Sequence, residues 1–462
     1  MSDNKITDSE KLVTANPEEE KKIINHALKD ESDKSNLSIT SIGELNADSK
    51  QKSCFKRWFG AIRSGSLRGG IFAMTSITFG TGCLSFPAAI KSSGPIVGFF
   101  IFCLVLAQNY WTLTLLLKAA KKLELYDYND IIVRTIGNKF RIFYDINNIL
   151  LVLGTIMSYQ YTISVFSTEL AKDFFNYTPE GTRSYFKLIQ MGICMVFIQI
   201  PLSLLRDMSR LQYASIIGVF TLLYVIVVVA FEMPFYLTNY IDEGKEIIIS
   251  PKLGWGVLDT FAIFSFGFSC HNGIFPIYQE LKDPSVRRSN KVLNRSFILE
   301  VVLYLMIGYA GFFSLFYDVP DVFIRRKDLP GFNDYFIKLA KILLIICLHC
   351  VMAIQHNIMR LSFKFMFFNN QTIPFRIDAC ITIFSYLVSN SLTFFINDIT
   401  TIFNFIGGIS NIVITTFNPI LIDIFSSDLP LSHCSNVIKF ILCFITSLIG
   451  VSTTVKSIID FK

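Results

Sequence analysis

Apolar and polar residues are segregated along this chain into blocks. A polar stretch of about 55 residues is followed by apolar runs that recur to the end, separated by short polar gaps. A helix rises 1.5 Å per residue, so about 20 apolar residues cross the ~30 Å hydrocarbon core of a bilayer. The runs predict about eleven spans, over 69–90, 94–117, 143–166, 185–205, 213–231, 255–278, 296–317, 337–361, 377–396, 399–425 and 437–454. A short amphipathic connector is expected over 128–140. The fold class is thus all-α and integral to a membrane. A transmembrane domain over 66–456 follows a tail over 1–55, which buries too little apolar surface to fold and is expected to be disordered.

Charge orients the spans. Lys56, Arg57, Arg63 and Arg68 precede the first span. Lys118, Lys121, Lys122, Arg134, Lys139 and Arg141 follow the second, and Lys282, Arg287, Arg288, Lys291 and Arg295 follow the sixth. Lys and Arg beside spans collect on the cytoplasmic side. The N-terminus is therefore expected in the cytoplasm, in either a plasma membrane or a vacuolar or lysosomal type of membrane. The formal net charge of +6 finds its explanation there rather than in nucleic acid. The ten cysteines form no CxxC or metal-ligand spacing, and neither a phosphate loop nor a Ser-His-Asp set is present, so no cofactor and no metal are expected.

Two spans are more than apolar anchors. The first reads Thr78-Phe79-Gly80-Thr81-Gly82-Cys83-Leu84-Ser85-Phe86-Pro87 at mid-depth. The sixth reads Phe266-Gly267-Phe268-Ser269-Cys270-His271-Asn272-Gly273-Ile274-Phe275-Pro276. Gly weakens a helix and Pro removes a donor. A single such span reads as a kink or a close packing surface. Two, five apart in order, fit an inverted five-plus-five repeat with broken first and sixth helices. In such folds the freed amides meet an anionic substrate group and the freed carbonyls meet a cation. Thr78, Gly80, Thr81, Gly82, Phe266, Ser269, His271 and Asn272 become the candidate substrate residues. From the third span comes Tyr161, at helical spacing from Gly154 and Ser158.

The run from Phe266 to Leu281, with Cys-His and then Pro-Ile-Tyr-Gln-Glu-Leu, resembles the sixth span of the amino acid/auxin permease family. Lys282-Asp-Pro-Ser-Val-Arg-Arg288 is similar to its basic loop, and Gly80-Thr-Gly-Cys-Leu-Ser-Phe-Pro87 to its first span. The resemblance covers about Ser66 to the C-terminus. It implies a ten-helix core plus one span, and amino acid transport coupled to protons or sodium. Thr81 departs from the small Ala usual between the glycines. The related fold takes sodium with hydroxyls of the eighth span, which here carries neither Ser nor Thr before Ser362 and offers His349 and His356 instead. These two share a helix face two turns apart. Imidazoles exchange protons near neutrality, so they are candidates for proton coupling. So is Glu300, an intramembrane carboxylate, unless a cytoplasmic-side Arg or Lys pairs with it. The expected partners are an amino acid of neutral side chain, H⁺ (or Na⁺) and membrane lipid. A nutrient sensor on the same fold and a membrane-integral enzyme are the alternatives, although no cluster of catalytic groups supports the latter.

Overall fold

The computed structural model describes residues 65–175, 185–205, 208–247, 249–282, 284–368, 371–396 and 398–460; the tail expected over 1–55 lies outside them. The described residues form helices joined by loops, without a strand. Among the described residues nine helices are long and apolar enough to cross a membrane. They are the second span (Pro95–Leu123), third (Asn138–Phe175), fourth (Tyr185–Ser203), fifth (Ile216–Asp242), seventh (Val286–Asp318), eighth (Tyr335–Phe368), ninth (Phe375–Phe395), tenth (Ile399–Ser426) and eleventh (Cys434–Ile459). The first and sixth spans are broken, and they complete the expected eleven. The first runs as Leu67–Thr78, Thr81–Leu84 and Phe86–Ser93, and the sixth as Gly256–Gly267, a short turn His271–Gly273 and Ile274–Glu280. The connector is the helix Tyr128–Thr135, capped by Asp127.

Burial sorts the spans into an inner and an outer set. The third, eighth and tenth are largely enclosed, and the fourth and eleventh are mostly exposed. Phe197, Phe384 and Phe444 point outward and are about 70% exposed (74%, 67% and 70%). On a water-facing surface so many aromatic and aliphatic side chains would form an adhesive patch; around a bundle of this length they form the lipid-facing band. The third span packs on the eighth, and the fifth on the seventh and eighth. Gly256–Gly267 packs on Phe86–Ser93, and the seventh span covers Leu67–Thr78.

The breaks differ from their sequence-based reading in one respect. Pro87 and Pro276 do not cause them. Each sits in the first turn of the helix that follows its break, where a missing N–H costs nothing. Close approach accounts for the glycines. A Cβ on Gly82 would lie 3.2 Å from the Cα of Gly267, so the two broken spans cross glycine against glycine. A Cβ on Gly80 would lie 2.5 Å from the Tyr159 hydroxyl. Gly80→Ala is therefore expected to push Tyr159 out of place and to cost about 1–3 kcal/mol of overpacking. Thermal unfolding of the purified variant measures this; an unchanged midpoint would show that the Tyr159 ring moves freely.

Candidate functional site

Unwinding leaves backbone groups without helical partners at membrane depth, where each must be met by protein or enclosed water. The protein meets the carbonyls with side chains from other spans. Gln355 of the eighth span donates its amide to the carbonyl of Ile77, at 3.5 Å. The hydroxyl of Tyr304, on the seventh span, lies 2.9 Å from the Thr78 carbonyl and 3.0 Å from the Gly267 carbonyl. One phenol thus ties the last turn before each break to the other. Its ring is held in an aromatic cluster, edge-on to Phe86 at 4.8 Å and to Phe268 at 5.1 Å.

Between the breaks lies a small cavity. Its polar wall consists of Thr78, Thr155, Tyr159, Ser269, Asn272 and Gln355, closed by Gly80, Phe266 and aliphatic side chains. No charged group lines it. The free volume is about 20 Å³, room for about one water. On the side of the basic loops a larger vestibule of about 350 Å³ opens, walled by Gln279, Glu280, Asn357, Arg360, Lys364 and Asp378. Arg360 is engaged there with Asp378, at 2.7 Å.

Five of the candidate residues meet at this cavity: Thr78, Gly80, Phe266, Ser269 and Asn272. The others are placed elsewhere. Thr81 donates to Ser158 at 2.8 Å and Gly82 backs onto Gly267. His271 turns to the second span, where its Nε2 lies 2.9 Å from the Thr112 hydroxyl. Tyr161 lies outside the cavity with the Lys187 ammonium 5.6 Å above its ring; its neighbour Tyr159 takes the position against Gly80. His356 faces the ninth span, bonding Ser385 at 3.1 Å and stacking on Tyr386. His349 bonds back to the Ile345 carbonyl of its own helix. Neither histidine lines the cavity.

Glu300 requires a correction. The seventh span begins at Val286, so this residue lies deep in the helix, and among the described residues no Lys or Arg pairs with it. It is fully buried, neither carboxyl oxygen has a hydrogen-bond partner, and it neighbours Thr78 and Cys270, one from each broken span. The Thr78 hydroxyl donates to the Thr75 carbonyl, 2.8 Å away. Periodicity also gave no sign of a polar chain that leaves the cavity. Asn272 donates to Asn148 at 3.2 Å, Asn148 donates to Ser362 at 2.9 Å, and Asp145 adjoins Ser362 and Asn129.

At the opposite end Asp398 caps the tenth span, accepting the Thr400 N–H at 3.0 Å. Burial and the neighbouring Asp321 push its carboxyl up to about 6, from 3.8. A raised carboxyl binds more protons folded than unfolded, so its contribution to stability is complete below about pH 4 and lost as pH rises through about 6. Asn caps as well as Asp. Asp398→Asn is expected to keep the helix and flatten that slope in melting curves taken between pH 4 and 7; a slope equal to that of the parent would refute the assignment.

Known proteins resemble this chain in sequence and in fold. The family model described as "Transmembrane amino acid transporter protein" matches residues 63–459. Vacuolar amino acid transporter 7 of Saccharomyces cerevisiae is 29% identical over 51% of this chain and 46% of its own length. Sodium-coupled neutral amino acid transporter 7 of Xenopus laevis is 24% identical, over 76% and 78%. The chain thus spans about half the length of the first of these relatives. Among solved structures, a Na⁺-coupled sialic acid symporter in a substrate-bound outward-open state superposes with a TM-score of 0.53 at 11% identity, over 89% of this chain and 92% of that one. A nucleobase-cation-symport-1 family transporter in a closed conformation gives 0.54 at 12%, over 86% and 91%. At such identities the likeness is one of fold.

Proposed function

Since the chain belongs to the transmembrane amino acid transporter family, we propose that it carries amino acids across a membrane by alternating access around the two breaks, in symport with protons. The observation that carries this reading is the cavity between Thr78, Gly80, Ser269 and Asn272, at the crossing of the two broken spans. The freed amides near Gly80 suit an α-carboxylate, and the side-chain oxygens of the wall, among them Ser269 and Asn272, suit an α-ammonium. A wall without charge favours neutral side chains. The closed cavity is one stage of a cycle in which the spans part on one side and then on the other. The vestibule and the Asn272–Asn148–Ser362 chain mark the way toward the cytoplasmic side, given the orientation read from the basic loops.

Two features favour protons over sodium. The Ile77 carbonyl, an oxygen that would suit a hard cation, already accepts from Gln355. Glu300 offers a carboxyl without a counter-charge beside both breaks, a group that one proton renders neutral. Sodium coupling is the second reading, favoured by the name of the Xenopus relative, and a vacuolar type of membrane is favoured by the name of the yeast one.

Reconstituted liposomes test all of this. Uptake of a panel of amino acids is expected under an imposed pH gradient and not under a sodium gradient. Sodium-driven uptake would transfer the coupling to the second reading, and saturable binding without flux would make the protein a sensor. Gln355→Ala is expected to raise the half-saturating substrate concentration about tenfold, the weight of one hydrogen bond of about 1.4 kcal/mol. An unchanged concentration dependence would remove Gln355 from the site.

A further inference from the structure

We infer that a second cavity, between the ends of the second and seventh spans, binds the phosphate-bearing head group of an anionic membrane lipid. It has a volume of about 280 Å³ and is lined by Tyr110, Thr114, Lys118, Lys121, Asn290 and Asn294, with Leu117 and Val286 as its apolar wall. This is close to the lower bound of small-ligand sites, and it is separate from the cavity at the breaks.

The lining carries two ammonium and two amide groups as donors. It includes no carboxylate. Lys122, one residue on, is paired with Asp428 at 2.6 Å, whereas neither Lys118 nor Lys121 has an acidic partner among the described residues. The Tyr110 hydroxyl donates to the amide oxygen of Asn294 at 3.0 Å. This anchors the Asn294 side chain and leaves its NH₂ group to donate. Arg287, Lys291 and Arg295, on the first turns of the same seventh span, add to the positive field. Two ammonium groups and two amides converging on one space suit a phosphate, whose oxygens only accept once it is ionised; the Thr114 hydroxyl, like that of Tyr110, already gives its proton to the protein, here to the Trp111 carbonyl at 2.6 Å.

The surroundings point to a lipid rather than a soluble anion. The second and seventh spans run side by side across the membrane. Tyr309 donates to the Pro95 carbonyl at one end, and Tyr110 packs edge-on to Phe297 at 5.7 Å near the other. Beyond the cavity the same two helices expose Phe100, Leu104, Ile298 and Val302. A head group in the cavity would lay its acyl chains over these residues. The basic loops place this end on the cytoplasmic side, where anionic lipids are concentrated.

The full chain, purified in neutral detergent, is to be titrated with short-chain phosphatidylinositol phosphate, short-chain phosphatidylcholine, soluble inositol phosphate and inorganic phosphate, with thermal unfolding as the readout. The inositol lipid is expected to give a saturable upward shift and phosphatidylcholine none. Lys118→Ala/Lys121→Ala is expected to weaken the response by about 30-fold, the weight of two lysines near an anionic surface, while Lys118→Arg/Lys121→Arg retains most of it. All of these side chains are exposed, so the variants fold; Asn290→Ala/Asn294→Ala gives an independent loss. Equal responses in parent and variants, or no response, overturn the site. Soluble phosphate or inositol phosphate binding as tightly as the lipid overturns the lipid as its occupant.

Discussion

Glu300→Gln is expected to cut accumulation driven by a pH gradient sharply while leaving exchange of labelled for unlabelled substrate intact. Glutamine has the shape of the neutral acid and forms the same contacts with the surroundings of Thr78 and Cys270, but it cannot take up or release a proton. Coupling between two binding events is typically worth 1–3 kcal/mol, so gradient-driven accumulation should fall by about 5- to 150-fold. Linkage also makes the converse hold. In the parent a rise in pH should weaken substrate binding, and in the variant that dependence should vanish. Stability should change little, because glutamine keeps the size of the neutral acid and its place beside Thr78. The measurement is uptake and counterflow in the same liposomes. Undiminished pH-driven uptake in the variant would assign the coupling group elsewhere, with His349 and His356 next in line.

Tyr304→Phe removes one oxygen and should do damage out of proportion to it. The phenyl ring still fills the space among Phe79, Phe86 and Phe268. The carbonyls of Thr78 and Gly267, however, lose their shared donor in a region without bulk water. Each orphaned acceptor costs about 1–3 kcal/mol. The variant should therefore unfold at a clearly lower temperature, and its transport should fall at least tenfold, the equivalent of about 1.4 kcal/mol, because the two breaks lose the group that keeps them in register. Normal transport and normal melting together would mean that water replaces the hydroxyl without penalty.

The sequence was legible where chemistry is local. Apolar runs long enough to cross a bilayer mark the spans, though the seventh begins ten residues before the expected 296, because its polar first turns extend beyond the hydrocarbon. Glycines around Thr81 and at Gly267 and Gly273 marked the breaks, since a helix bonded only to itself gains little from them. Orientation about a helix axis was not legible. Gln355 and His356 are adjacent in sequence and thus about 100° apart on the eighth span. One reaches the first span's carbonyl and the other the ninth span, and only the packing of the eighth span determines which. The histidine drew attention by its chemistry and the glutamine did not. Tyr159 and Tyr161 repeat that lesson on the third span. Tyr304 is one of 18 tyrosines; its role comes from a position opposite two breaks that periodicity along its own helix does not record.

The smallness of the central cavity also bears on how affinity is to be interpreted. Space for about one water admits no amino acid. Under the proposed reading substrate must therefore wait for molecules whose spans have already parted, and the dissociation constant measured at equilibrium would be the intrinsic one divided by the fraction of such molecules. A substitution far from the breaks that only makes parting easier would tighten apparent binding without adding a contact. Two relatives with identical cavity walls would then differ in potency through their resting populations alone.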